Sequence, residues 1–332
     1  MAFWDMTALT SSYWGMYAVQ TVLHSLIASV LVECAFMAWD IKAPSVKQRF
    51  RFMVILLPLL SFPVYQWMSP RRGDAYFRLE SLADSNKWFY LGPWNTSPVA
   101  ALFIILLAIS SLIFIVQELL PIVFQMREQT RVNDEPVADA LEHGMARKVS
   151  LAVEGLPFDE RSVEILNDDD LVLFSDTGLN PRIYVSTGLI ATFTIEHLQA
   201  ALAHEIGHIQ RTRKPVLIFA YILRMLMFYN PVIMIEFRKM AQEEENVCDD
   251  IAVALTGKPE ALSEAVDLFR SAAEEHGPGA SGIASSLEQY SHNVLLKNRV
   301  LRIGQPREDD SPWRVPYFVT MALIVSINYY VV

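Results

Sequence analysis

The chain has 332 residues, of which 52% are hydrophobic and 19% are charged. This composition is too apolar for an ordinary soluble protein and too rich in core-forming residues for a disordered one. The formal net charge of -10 argues against nucleic-acid binding, which usually requires a basic surface. The two cysteines, Cys34 and Cys248, are too few for a disulfide framework or a cysteine-rich metal cluster.

Four apolar stretches are long enough to cross a bilayer, which takes about 20 largely apolar residues. They predict transmembrane helices at residues 16–39, 50–68, 99–124 and 313–332. We expect the first three to form an N-terminal membrane domain, residues 1–124, and the fourth to be a C-terminal span.

Charge around the first two stretches predicts their orientation. The first 41 residues contain no Lys or Arg, whereas the loop that follows carries Lys42, Lys47, Arg49 and Arg51. A cleaved signal peptide needs a positive leading segment, so the first span is expected to be a retained helix. By the positive-inside rule, the N-terminus is expected outside and the region after residue 124 in the cytoplasm, at the inner or plasma membrane of a bacterium.

Residues 125–312 have the composition of a globular domain. Short β-rich runs separated by polar turns alternate there with helical patterns. We predict helices at 134–148, from Thr194 onward and at 240–256, and strands at 163–166, 171–174 and 182–186. The predicted fold class is an α+β membrane protein: four transmembrane helices and a helix-rich domain that carries a small β-sheet.

The motif His204-Glu205-Ile206-Gly207-His208 lies within the helix that starts near Thr194. Histidines four residues apart project from one helical face, so both imidazoles can reach one tetrahedral Zn²⁺. Glu205 can approach a water at the metal without ligating the ion. The alternative is an amphipathic helix with two surface histidines. The apolar residues on both sides of the motif argue against it, because buried ionisable groups are costly unless they are paired or bound to metal.

A catalytic zinc normally takes three protein ligands. In the acidic segment 243–250, Glu245 is the glutamate with an aspartate four residues on. That spacing places both on one helical face, so Glu245 can be the third ligand and Asp249 can accept the outer N–H of a ligand histidine. The alternative is a solvated acidic face. Cys248 lies one residue off this face and is interpreted as a small buried residue.

The apolar segment 215–237 separates the two halves of the predicted site. A single crossing there would place the histidines and Glu245 on opposite sides of the membrane, and its 23 residues are too few for two crossings. We therefore expect a helix and a turn that are either buried in the domain or lie at the membrane face.

Together these segments resemble the BlaR/MecR-type membrane-embedded gluzincin metallopeptidases. The resemblance rests on residues 180–189, 204–208, 230–231, 245–250 and 297–302. It implies a zinc metallopeptidase domain at residues 125–312, with one Zn²⁺ held by His204, His208 and Glu245 and with Glu205 as the catalytic acid/base. The sequence ends at Val332, so neither the penicillin-binding sensor domain of the antibiotic receptors nor β-lactam sensing is expected.

The leading hypothesis is a membrane-bound endopeptidase that hydrolyses a cytoplasmic or membrane-proximal regulatory protein, with the lipid bilayer as a second partner. The oligomeric state stays open, a homo-oligomer included. The strand at 182–186 is a candidate edge for an extended substrate. Candidates for stabilising the transition state are His292, Tyr290 and Arg299. The alternative function is a non-catalytic signalling or scaffold protein that keeps a structural zinc. A transporter is a weaker third alternative, because the spans show no repeat and no paired charges.

Overall fold

The computed structural model describes residues 13–68, 98–116, 139–176, 180–212, 216–275, 296–303 and 312–331. These residues are mostly helical and contain one three-stranded sheet, which confirms the coarse α+β prediction. The strands are β1 (Val163–Leu166), β2 (Leu173–Asp176) and β3 (Arg182–Ser186). The helices are α1 (Tyr13–Ala38), α2 (Pro44–Met68), α3 (Pro98–Phe114), α4 (Asp139–Val153), α5 (Thr187–Thr192), α6 (Ile195–Thr212), α7 (Val216–Leu226), α8 (Pro231–Thr256), α9 (Pro259–Glu275) and α10 (Arg314–Val331). Residues 296–303 are also helical.

Among the described residues, α1 is the one helix that is both long and apolar enough to cross a bilayer. Helices also occupy the described parts of the other three predicted spans, but their length and hydropathy support only the first as a membrane span. Helix α2 begins with a basic segment that contains Lys47, Arg49 and Arg51. In α3, the apolar stretch Ile105–Phe114 is shorter than a membrane span. Residues 117–124 of the third predicted span lie outside the described residues.

The chain divides into two compact units. The helical unit contains the described residues 13–68, 98–116, 216–243 and 312–331, and the mixed unit contains the rest. The division falls within α8, between Glu243 and Glu244. Residues 216–243 thus pack with the N-terminal helices, although the sequence analysis grouped them with the zinc domain at 125–312.

A buried ionic cluster lies inside the helical unit. Glu236 of α8 is 1% exposed and accepts hydrogen bonds from Arg51 of α2 at 2.7 Å and from Ser29 of α1 at 3.0 Å. Arg51 and Lys239 also contact Glu33, at 3.1 and 2.9 Å. Because buried charges are tolerated only when paired, this cluster fixes how α1, α2 and the start of α8 pack together.

The segment predicted as a helix and turn is α7 followed by the start of α8. Helix α7 has 11 residues and therefore extends about 16 Å, about half of the hydrocarbon core of a bilayer. Helix α8 begins at Pro231 and not at residue 240, because the side chain of Asn230 accepts from the backbone N–H groups of Val232 and Ile233. Asn at the cap followed by Pro in the first turn is a strong helix start.

The sheet of the mixed unit has the strand order β1-β3-β2. Strand β3 pairs in parallel with β1, Val163 opposite Ile183, and antiparallel with β2, Leu173 opposite Val185. The candidate substrate edge at 182–186 is therefore wrong, since β3 is central and β2 is at the edge of the described sheet. Strand β2 begins two residues later than predicted because the N–H of Val172 donates to Ser186 Oγ and to the Asp170 carbonyl.

Helix α6 lies in the main core of the mixed unit. Thr194 caps it, with its hydroxyl accepting from the N–H of His197 at 3.2 Å. Leu198, Leu202 and Ile206 recur along one face and are fully or almost fully buried. They belong to one apolar cluster with residues of β3, α4 and α9. This burial holds the motif helix in a fixed position.

Gly188 gives a test of how the loop before β2 packs on the start of α5. A Cβ built on Gly188 would lie 2.0 Å from the backbone oxygen of Asp169. We predict that Gly188→Ala destabilises the protein by about 2–3 kcal/mol, because a backbone atom cannot yield as a flexible side chain can. The control is Gly144→Ala in α4, where nothing lies within 4 Å, and which should be neutral or slightly stabilising. Equal unfolding midpoints for the two purified variants would contradict this packing.

Candidate metal centre

Three electron-rich groups converge between α6 and the second half of α8. The Nε2 atoms of His204 and His208 lie 3.1 Å apart. Carboxylate oxygens of Glu245 lie 3.4 Å from His204 Nε2 and 3.5 Å from His208 Nε2. Four donors placed about 2.0–2.1 Å from a tetrahedral Zn²⁺ are separated by about 3.3 Å. The three residues therefore fit a zinc ion, and the chemistry of the donors, two imidazoles and a carboxylate, is that of a zinc site.

The three neighbouring glutamates of α8 have different surroundings. Glu244 receives two hydrogen bonds from Arg211 of α6, at 2.5 and 2.6 Å. Glu243 is partly exposed and does not belong to the converging group. Glu245 is the member that meets both histidines. The Arg211–Glu244 pair fixes the register of α8 against α6 close to the candidate ligands.

Asp249 lies behind His204, where the sequence predicts it. Its Oδ1 is 2.9 Å from His204 Nδ1, and its side chain is 1% exposed. Arg299, from the helical residues 296–303, donates to both Asp249 oxygens at 2.7 and 3.0 Å and lies 3.2 Å from Glu245 Oε2. The guanidinium therefore offsets the negative charge of the buried Asp249 carboxylate and of the partly exposed Glu245 carboxylate.

These contacts shift the ionisation of the site in the metal-free protein. Burial by itself raises the pKa of Glu245, but the hydrogen bond with His204 and the charge of Arg299 outweigh this effect and lower the pKa to about 2. Burial lowers the pKa of His204, and the carboxylates of Asp249 and Glu245 more than reverse this, raising it to about 9. For Asp249, burial is outweighed by His204 and Arg299, so its pKa falls below the usual range. The site thus holds ionised carboxylates that favour a cation.

Cys248 contacts the other histidine. Its Sγ lies 3.4 Å from His208 Nδ1, and the residue is fully buried. Burial, together with the charges of Glu245 and Glu244, raises the pKa of this thiol. The two helices approach closely here, since a Cβ on Gly207 would lie 3.2 Å from the Cys248 Cα. The glycine of the motif therefore permits the contact between α6 and α8.

Glu205 faces the sheet. Ser175 of β2 donates a hydrogen bond to Glu205 Oε2 at 2.7 Å. Strand β2 alternates, with Leu173 and Ser175 turned inward and Phe174 and Asp176 exposed. The contact places Glu205 beside the converging ligands and next to the sheet edge.

A cavity of about 720 Å³ opens at this place. It is lined by the three candidate ligands, by Glu205 and Arg299, and by apolar side chains of α9 such as Val266 and Phe269. A space of this size accepts several atoms of a polypeptide around a reacting carbonyl. The arrangement combines a metal-binding group, a carboxylate base and room for a substrate.

Two of the predicted site residues, Tyr290 and His292, lie outside the described residues. The structure brings the others together around one point: His204, Glu205, His208, Glu245, Asp249 and Arg299. Sequence reasoning missed Ser175 altogether and treated Cys248 as a packing residue. For Cys248 a signal was present, because it lies next to Asp249 on the helix that faces both histidines.

The family of the chain follows from comparison with known families. The family model described as BlaR1 peptidase M56 matches residues 93–300, well over half of the chain and all of the site residues above. The chain belongs to the M56 peptidase family. No curated protein and no solved structure matches it. Membership in M56 confirms the resemblance found in the sequence, indicates a metallopeptidase with a protein or peptide substrate, and implies a metal.

Removal of Glu245 tests the metal centre. We predict that Glu245→Ala weakens zinc binding by more than about 100-fold, because removal of a ligand should cost more than the 10- to 100-fold loss typical of an outer hydrogen-bond partner. Zinc affinity of the purified full chain is measured by competition with a chelator. Glu243→Ala, two residues away on the same helix, is the matched control and should bind as the unaltered protein does. Equal affinities of the two variants would exclude Glu245 as a ligand.

Proposed function

We propose that this M56 peptidase is a membrane-bound, zinc-dependent endopeptidase that cleaves a cytoplasmic or membrane-proximal regulatory protein. The observation that carries the proposal is the convergence of His204, His208 and Glu245, with mutual distances of 3.1 to 3.5 Å, beside Glu205 and an open cavity. One Zn²⁺ per chain would be held by these three residues.

In the proposed reaction, Zn²⁺ and the protein side chains have separate roles. When bound, Zn²⁺ would polarise the scissile carbonyl and bring the pKa of a water to about 7. Glu205 takes a proton from the attacking water and then delivers it to the leaving amine. The hydroxyl of Ser175, 2.7 Å from Glu205 Oε2, occupies one carboxylate oxygen and leaves the other for this transfer. Ser175 is therefore a positioning residue in this mechanism.

The substrate would lie in extended form along β2. This strand is at the edge of the described sheet, and its Ser175 touches the catalytic carboxylate. An added strand is recognised through its backbone groups, which gives affinity with little dependence on side chains. The register of the substrate strand against β2 would then determine which peptide bond reaches Glu205.

Arg299 is our candidate for stabilising the carbonyl oxygen in the transition state. It lines the cavity, and its guanidinium lies 3.4 Å from His204 Nε2. A fixed cation close to the ligand atoms can meet charge that develops on the oxygen without moving during the reaction. The same guanidinium holds Asp249, so Arg299 would serve both the ligand support and the reaction.

We propose that the chain crosses the membrane four times, although length and hydropathy support only one span among the described residues. The helical unit exposes large apolar side chains on several helices, such as Met37 on α1, Leu60 on α2, Leu112 on α3 and Phe318 on α10. A water-soluble unit would rarely leave so many of them uncovered, whereas lipid would cover them. Because Lys42, Lys47 and Arg49 follow α1, in the turn and at the start of α2, we place the N-terminus outside and the zinc site on the cytoplasmic side.

The base is tested by Glu205→Gln. We predict loss of proteolysis by at least about 100-fold, since a positioned acid/base typically contributes 10²–10⁴ in rate, while zinc binding is retained. The measurement compares the proteomes of cells that carry the unaltered protein or Glu205→Gln. A protein that accumulates with the variant is then incubated with the purified unaltered enzyme to test whether it is cleaved.

Glu196→Gln is the matched control, since Glu196 lies on the same helix at the surface, paired with Lys258. This variant should cleave normally. Unchanged turnover in Glu205→Gln, with zinc bound, would favour the alternative of a scaffold that keeps the ion for folding.

A further inference from the structure

The outer nitrogens of the two candidate ligand histidines meet consecutive residues of α8. His204 Nδ1 lies 2.9 Å from Asp249 Oδ1, and His208 Nδ1 lies 3.4 Å from Cys248 Sγ. The inner nitrogens, both Nε2, point towards each other and towards Glu245. The Nδ1 atom of each ring therefore has a different kind of partner, a carboxylate for His204 and a thiol for His208.

We propose that Cys248 is a positioning residue for zinc, which accepts the Nδ1–H of His208 and thereby aims its Nε2 at the ion. The proposal rests on the zinc site of the proposed function. A neutral imidazole that gives its Nε2 lone pair to a metal carries its proton on Nδ1, and that proton needs an acceptor. For His208, the Sγ of Cys248 lies 3.4 Å from this nitrogen.

Geometry argues against Cys248 as a ligand itself. The two nitrogens of an imidazole lie on opposite sides of the ring, and the thiol meets Nδ1, whereas His204 and Glu245 meet Nε2. The group of atoms that lie within 4.8 Å of one another contains His204, His208 and Glu245 without the cysteine. The sulfur thus lies behind the ring and away from the point where the three ligand atoms converge.

The helices α6 and α8 lie in close contact at this position. Because a Cβ on Gly207 would lie 3.2 Å from the Cys248 Cα and 3.3 Å from its Cβ, α6 and α8 touch through these two residues. A thiol is small and accepts hydrogen bonds weakly. The side chain of His208 is also more exposed than that of His204, 26% against 11%, so a contact at Nδ1 matters more for holding its ring in place.

The test measures zinc affinity of the full chain by competition with a chelator, for four proteins: unaltered, Cys248→Ala, Cys248→Ser and Cys34→Ala. We expect Cys248→Ala to bind zinc about 10-fold more weakly, at the lower end of the range for loss of an outer partner. Cys248→Ser, which keeps a small acceptor, should bind within about threefold of the unaltered protein. Cys34→Ala removes the other, exposed thiol and should change nothing. Unfolding midpoints of the metal-free proteins separate this effect from loss of packing, because a packing role alone would lower the midpoint without changing zinc affinity.

Zinc affinity of Cys248→Ala equal to that of the unaltered protein would overturn the proposal, and so would equal weakening by alanine and serine. If the alanine variant does not fold, a 10-fold or larger loss in Cys248→Ser overturns it as well. Zinc affinity is measured without a substrate, so failure here is distinct from failure of the proposed function, which is decided by the proteolysis of Glu205→Gln.

Discussion

The site depends on one electrostatic constraint: two imidazole lone pairs and a carboxylate lie within 3.5 Å of one another in a partly buried place. Such a group repels itself unless a proton or a metal ion lies among its members. The surrounding contacts follow from this requirement. Asp249 supports one ring, Arg299 offsets the buried negative charge, and Cys248 lies behind the other ring.

Much of the site was predictable because helical periodicity is local. Spacings of four residues place His204 and His208, and likewise Glu245 and Asp249, on single faces, and one tetrahedral ion then requires the two faces to meet. The strands at 163–166 and 182–186 were predicted with their observed bounds because polar turns separate short β-branched runs. The helix-and-turn interpretation of 215–237 followed from a length argument about the bilayer, and α7 agrees with it.

The remainder depends on contacts between distant segments, which periodicity does not encode. Ser175 reaches Glu205 across 30 positions, and only the sheet order shows that β2 is at an edge. Cys248 is one step off the Glu245 face, but the close approach at Gly207 brings it to His208. The early start of α8 depends on the cap at Asn230. Four apolar stretches likewise predicted four spans, of which length and hydropathy support one in the described residues.

The coordination of the bound metal tests the central claim most directly. X-ray absorption at the zinc edge, recorded on the purified full chain, reports the elements around the ion and their distances. The account predicts nitrogen and oxygen neighbours at about 2.0–2.1 Å, with the scattering pattern of two imidazoles and no sulfur. A sulfur neighbour at about 2.3 Å, or a shell without imidazole, would contradict it.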